Sequence, residues 1–406
     1  MLSVEKALEL IISNTAIREQ SEKTDIFNCW GRTLFNNVQA KFNVPSKDNS
    51  SMDGYAVLTD DIKKADAENP VSLKIIDEVR AGAEFKGKKL QSGNAIRIMT
   101  GAPIPEGADS VIPFEETEES GDIVKIFKST FKSENIRLTG EDIKKGNTVL
   151  SRGIRIDSAE IGLLSSLNMN EISVFVKPRV GIISTGDELA EPGFADIDKI
   201  INTNAYVLYS EVKKYGGEPV YEGIVKDNYN DVKKMFLKLM SNDIIISSGG
   251  VSMGRYDFIP DVLKDIGVDI KLHKVLVKPG KPIIFGTIGK KLFFGLPGNP
   301  VSVMVSFMEF VRPAILKMSG NNKITKPILK AKTKEEIRKK EKRKHFIRGI
   351  FSIENGDLFV ITTGPQGSGI LTSMSSANCL IIIPMETDLV NKGELVEIQL
   401  TGHSEI

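Results

Sequence analysis

The sequence predicts a multidomain α/β protein: a parallel-sheet domain with β-rich regions on either side and a split helical segment. Three observations carry this. The chain has 406 residues, and at roughly 100–200 residues per domain that length implies two to four domains. From Lys177 onward, short apolar strands alternate with helical periodicity, the pattern of βαβ units in a parallel sheet. Before and after that stretch the texture is short strand-like runs between Gly, Pro and Asn breakers.

The elements follow in order. Val4, Ala7, Leu8, Ile11 and Ile12 recur at helical spacing, and Ser3 can cap the start. Residues 45–134 read as a β-rich unit, because VSLKIIDEV, AIRIM, DSVIPF and DIVKIF are strand-like. Asp157 and Glu160 then have capping-box spacing ahead of the apolar run IGLL. Residues 1–44 and 135–176 are therefore expected to pack together as a split helical domain, with the β unit inserted. In residues 177–322, VGIIS, EPVYEGIV, DIIIS and KLFFGL are strands. TNAYVLYSEVKKYG, the Val232–Met240 periodicity and PVSVMVSFMEFVRPAIL are helices. Asn299 is placed to cap the last of these, and Pro300 suits its first position. Residues 323–406 return to β. HFIRGIFSI and DLFVITT flank the turn Glu354-Asn355-Gly356, and ANCLIIIP and ELVEIQL complete a small sheet or barrel. The basic run Arg338–Lys344 reads as a solvated strand edge rather than a nucleic-acid patch.

Composition excludes several function classes. Lys and Arg number 54 against 53 Asp and Glu, so no bulk field favours nucleic acid or a membrane surface. Cys29 and Cys379 cannot build a disulfide framework and read as reduced thiols of a cytosolic protein. The start, MLSVEKALEL, lacks the features of a signal peptide, and no apolar run approaches the roughly 18 residues of a membrane span. His273, His345 and His403 lie far apart, with no zinc-like spacing. Metal chemistry is therefore expected to use oxygen ligands, which suits magnesium.

Unusual residues gather where such a fold binds ligands, at the carboxyl ends of its strands. Four strand ends stand out: Ser184-Thr185-Gly186-Asp187-Glu188; Asp227; Ser248-Gly249-Gly250-Val251-Ser252, running on to Asp257; and Pro297-Gly298-Asn299-Pro300. Glycines let backbone N–H groups approach an anion, and a following helix adds its positive end. Carboxylates there would repel phosphate unless a divalent cation bridged them. Lys278-Pro279-Gly280-Lys281-Pro282 adds two cations on a stiffened turn. Each feature alone has a bland reading as a cap, a tight turn or a surface charge; their co-occurrence points to a phosphorylated ligand with magnesium. Ser51-Met52-Asp53-Gly54, Met99-Thr100-Gly101 and Gly140-Glu141-Asp142 are further clusters, each readable alone as turn chemistry.

SSMDGYA, RIMTGAPIPEGAD, IRLTGEDI, STGDEL, SGGVSMGRYD, KPGKP and GLPGNP occur in this order. The set resembles the MoeA family of molybdopterin molybdenumtransferases, with the gephyrin E domain and its plant counterpart. The resemblance implies a homodimer of four-domain chains whose α/β domain is MogA-like. It implies insertion of molybdate into adenylylated molybdopterin, with magnesium-dependent release of AMP. It places the cleft between the α/β domain of one subunit and the inserted β unit of the other. Asp53, Thr100 and Asp142 would then face Glu188, Asp227 and Asp257, the last three as candidate metal ligands. Asp187, Asp227, Ser248, Gly249, Gly250, Ser252, Lys278, Lys281, Pro297, Gly298, Asn299 and Pro300 would hold the pterin substrate. Ser252, Lys281, Arg348 and Ser373 would hold molybdate. A MogA-type adenylyltransferase is an implied partner. Asn228 stands where many relatives have a second Asp after Asp227. Two alternatives remain at this stage: an adenylyltransferase with a similar α/β domain, and a gephyrin-like scaffold.

Overall fold

A computed structural model describes residues 1–82, 87, 89–193, 198–251 and 258–402. The chain forms two compact units, one made of residues 1–35, 153–157 and 171–406, the other of residues 36–152 and 158–170.

The first unit is built on a six-stranded sheet in the order Glu218–Val225, Arg179–Thr185, Ile244–Ser248, Lys291–Leu296, Pro282–Ile288, Asp269–Lys274. The first four strands are parallel. Pro282–Ile288 alone runs against the others, antiparallel to both its neighbours, so the sheet is mixed where the sequence suggested a parallel one. The reason is local. Ile288 pairs with Lys291 across a tight turn through Gly289 at φ 55°, and two residues can join only antiparallel neighbours. Side chains alternate between faces: Ile182, Ile246 and Phe294 enter one core, and Ile183, Ile245 and Phe293 enter another. Apolar continuity along these strands thus reflects burial on both faces.

Helix starts follow cap chemistry. The Thr203–Lys214 helix begins with Asn202 accepting from the Ala205 N–H, and the Tyr229–Leu239 helix with Asn228 accepting from the Asp231 N–H. The helix that opens at Pro300 passes through a π turn, Phe307–Val311, before continuing as Arg312–Met318. Pro313 lacks an N–H, and the wider turn accommodates the missing bond.

The carboxyl-terminal strands Ile328–Thr333, Lys344–Glu354, Asp357–Thr362, Cys379–Ile383 and Leu395–Leu400 close into a five-stranded barrel, because Lys344–Glu354 pairs with both Asp357–Thr362 and Cys379–Ile383. The expected hairpin is present: Glu354 pairs with Asp357 around Asn355 and Gly356, at φ 51° and 86°. The basic run is only partly a solvated edge. Lys339 is buried and donates to the carbonyls of Arg343 at 3.0 Å and Met385 at 2.7 Å.

The two segments expected to form a split domain pair with each other through strands. The segments 1–44 and 135–176 hold two helices, Val4–Ser13 and Ser158–Ser166, and these fall in different units. Val4, Ala7 and Ile11 enter the α/β core. The segments are otherwise tied by ladders, Ser21–Asp25 with Glu171–Phe175 and Val38–Gln39 with Thr148–Leu150. Apolar periodicity located the helices but not the surfaces they cover.

The second unit centres on a six-stranded mixed sheet from Gly54–Val57 to Ile123–Ile126, with a core on each face. Among the described residues no helix is long and apolar enough to cross a membrane. Cys29 and Cys379 are free and buried.

Candidate active site

Parallel register brings the strand ends together. Thr185 pairs with Val225, Ser184 with Ser248, and Ser248 with Leu296, so the loops carrying Asp187, Glu188, Asp227, Gly249, Gly250 and Pro297–Pro300 leave one edge. Their contacts cross from loop to loop. The Asp227 N–H donates to Asp187 Oδ1 at 3.3 Å, and the Gly249 N–H donates to the Leu296 carbonyl at 3.0 Å. Gly249 and Gly250 are needed for conformation as well as space. Both have positive φ, and a Cβ on Gly249 would lie 2.6 Å from the Thr185 carbonyl oxygen. Asn299 sits at the cap position of its helix, yet its side chain makes no capping bond; only its carbonyl is used, by the Val303 N–H. Ser252 and Asp257 lie outside the described residues.

Asn204 escaped the sequence reading. Its Nδ2 donates to Ser248 Oγ at 2.8 Å and to the Gly298 carbonyl at 2.7 Å, joining two of the loops. The only hint was a second Asn beside the cap Asn202. Asn204 Oδ1, Thr185 Oγ1 and Ser247 Oγ are buried at this edge without a hydrogen-bond partner. Unpartnered polar atoms at a cleft are where a ligand or water completes the network.

A second cavity of 480 Å³ lies between the Lys278–Pro282 turn and the barrel. It is positioned by a parallel bridge in which Val277 pairs with Lys344 and Lys278 with His345. Gly280, at φ 101°, is fixed by contact: a Cβ there would lie 2.6 Å from Ser306 Oγ. Arg348 is 1% exposed. Its Nε donates to Ser373 Oγ at 3.0 Å and its Nη2 to the Gly367 carbonyl at 2.9 Å. No carboxylate pairs with it among the described residues, and burial pushes its guanidinium down to about 10. A buried cation with neutral partners that lines a cavity favours an anionic ligand. Lys281 also lines the cavity. Ser373 supports Arg348 from behind rather than lining the wall. Lys278 pairs with Glu341 at 2.7 Å. His345, buried, is pushed down to about 4 by burial and then by Lys278, so it is neutral near pH 7. Glu341, His345 and Gln366, whose Oε1 accepts from the Arg348 N–H at 2.9 Å, were not legible as site residues. Glu341 is the single acid within RKKEKRK, and only the bridge to Lys278 gives it a role.

In the second unit Asp53 and Thr100 meet: the Thr100 N–H donates to Asp53 Oδ1 at 2.6 Å and holds that carboxyl below the usual range. Gly54 is obligatory, since a Cβ would lie 1.9 Å from the Ile112 carbonyl oxygen. The Asp142 N–H donates to the Val44 carbonyl at 3.2 Å, and Asp48 Oδ1 takes the Thr139 N–H at 2.7 Å. The chain from Val44 to Asp53 thus carries both loops, with Asp53, Thr100 and Asp142 all exposed.

Three family models match the chain: the MoeA N-terminal region (domain I and II) over residues 2–168, a probable molybdopterin binding domain over 181–317, and the MoeA C-terminal region (domain IV) over 330–401. The molybdopterin molybdenumtransferase of Haemophilus influenzae is 35% identical, with 99% of each chain covered. That of Nostoc sp. is 35% identical, over 97% of this chain and 92% of its own. A crystal structure of a molybdopterin biosynthesis moeA protein from Pyrococcus horikoshii OT3 superposes with a TM-score of 0.84 at 33% identity, covering 98% of this chain and 100% of that one. Similarity of this extent across all three regions establishes that the chain belongs to the MoeA family of molybdopterin molybdenumtransferases.

Proposed function

We propose that the chain binds molybdate in the cavity lined by Lys281 and Arg348, and binds adenylylated molybdopterin along the carboxyl edge of the α/β sheet. Two Mo–S bonds form to the dithiolene as one oxo ligand of molybdate leaves with the two thiol protons as water; a water cleaves the phosphoanhydride, and AMP leaves. The observation that carries this is Arg348, a buried guanidinium facing the cavity with only neutral partners. Molybdate is a dianion and the pterin substrate is anionic, so their approach requires fixed cations and donors. Arg348 offers a planar donor set held by Ser373 and Gly367. Lys281 supplies a second charge from the opposite wall, on the turn held by Gly280. Gly249, Gly250 and the Pro297–Pro300 turn offer backbone groups to the phosphates, while Asn204 fixes the Ser248 and Gly298 loops.

Magnesium fits the oxygen donors at this edge. Asp187 and Asp227 are neighbours through their 3.3 Å contact, with Glu188 on the same loop. No acidic, His and Cys cage of three groups exists among the described residues. Magnesium is suited to such a site, since it is usually held by one or two carboxylates with substrate phosphates. Bound there, it would neutralise charge on the phosphoanhydride. Asp227, Glu188 and Asp257 are the assigned ligands, and Asp187 orients the Asp227 loop. Asp53, Thr100 and Asp142 complete the cleft from the second subunit of a homodimer. Their exposure, with Asp53 held ionised by Thr100, supports a role outward from their own unit. The buried free thiols fit a cytosolic setting, where a MogA-type adenylyltransferase would supply the substrate.

The test is incubation of purified protein with adenylylated molybdopterin, molybdate and magnesium, measuring AMP by chromatography and retained molybdenum by mass spectrometry. Equimolar AMP and molybdenum are expected. Arg348→Lys keeps the charge but loses the fork, and should lower molybdenum retention by roughly ten-fold or more. AMP release that does not depend on molybdate would reject the proposal.

A further inference from the structure

One carboxylate stands among the cations of the oxyanion cavity. Glu341 Oε1 is 2.7 Å from Lys278 Nζ and 3.5 Å from Arg343 Nη2. Its other oxygen is 3.5 Å from His345 Nε2, a buried atom with no hydrogen-bond partner. Lys278, Arg343 and His345 all line the cavity, whereas Glu341 lies behind them and is 38% exposed. It is also the only acid in its basic run. Arg348 and Lys281, by contrast, have no carboxylate partner among the described residues.

We propose that Glu341 is the positioning counter-ion of the oxyanion cavity: it holds Lys278 while the cavity is empty, and a tetrahedral dianion must take Lys278 from it on binding. This rests on the reading of the cavity as the molybdate site. Lys278 has three donors on one flexible stem, and a carboxylate and an oxyanion compete for them. Glu341 keeps the lysine at the wall, which limits the ordering that binding requires. It also repels the incoming anion in proportion to the anion's charge. Affinity is therefore set below what the cations alone would give.

The experiment is calorimetric titration of the full-length protein with molybdate and with perrhenate, a tetrahedral monoanion of similar size. Wild type, Glu341→Gln, Glu341→Ala, Arg348→Lys and the Lys278→Gln single and double variants are compared, with thermal unfolding as a check on folding. Glu341→Gln should tighten molybdate about five-fold, the scale expected for one half-exposed charge. The gain should be smaller for perrhenate and should shrink in the Lys278→Gln background. In turnover the change should appear in KM for molybdate rather than in kcat. If wild type binds molybdate and Arg348→Lys weakens it, but folded Glu341 variants bind unchanged or more weakly, the counter-ion role is overturned and the cavity assignment stands. Equal gains for both anions, or in both lysine backgrounds, also overturn it. If wild type binds no molybdate, the cavity assignment falls and this role falls with it.

Discussion

Arg348 and His345 sit three residues apart on one strand and meet burial in opposite ways. Arginine cannot shed its proton in the working range, so the strand must bury a charge and aim it at a cavity. Histidine can, and His345 remains neutral, pushed down to about 4. That shift has a stability consequence with a definite sign. The unfolded chain takes up a proton on His345 near 6.5, whereas the folded chain resists until about 4. The stabilisation it represents is complete above pH 6.5 and is lost as pH falls towards 4, and its size is on the order of 3 kcal/mol. In urea unfolding at pH 7, 5.5 and 4, His345→Gln should flatten the acid limb relative to wild type. An identical slope in both proteins would mean that the imidazole is solvated.

At the scale of elements, the loops are placed by caps and glycines. Asn228, which stands where many relatives have a second Asp, caps the Tyr229–Leu239 helix through the Asp231 N–H at 2.9 Å. Asn228→Ala should lower stability by about 1 kcal/mol, while Asn228→Ser, which keeps a capping oxygen without setting a second carboxylate beside Asp231, should lose less. Chemical denaturation separates the two, and equal losses would sink the capping account. Gly249 is the stronger case, since its φ of 93° and the Thr185 carbonyl both exclude a side chain. Gly249→Ala should cost about 1–3 kcal/mol, visible as a fall of several degrees in Tm. It should also lower AMP release more than the same thermal loss elsewhere, because the loop it moves is the one expected to meet phosphate.

At the scale of the whole molecule, the acidic cluster of the second unit and the strand ends of the first carry halves of one proposed cleft. If the halves come from different subunits, Asp53→Asn and Glu188→Gln should each abolish AMP release alone. Mixed by co-expression, they should restore it to about a quarter of wild type, since half the dimers are mixed and each then holds one intact cleft. No recovery in the mixed population would argue that both residues serve the cleft within one chain.

The alternation of strand and helix from Lys177, the glycines at successive strand ends and the KPGKP turn were legible because local patterns encode them: period, cap and turn residues act over a few neighbours. So were the hairpin at Asn355-Gly356 and most of the candidate site. Partnership was not legible. The opening helix has an apolar stripe that any core could cover, and only the fold assigns it to the α/β sheet. Glu341 reads as one acid in a basic run until the bridge of Lys278 to His345 brings it to the cavity. Ser373 gains its place through Arg348, and Asn204 through Gly298. Sequence by itself determined which segments can bend, cap and alternate, because those energies are local. Which charges stand unpaired in a cavity was decided only by tertiary structure, because pairing depends on residues far apart in the chain.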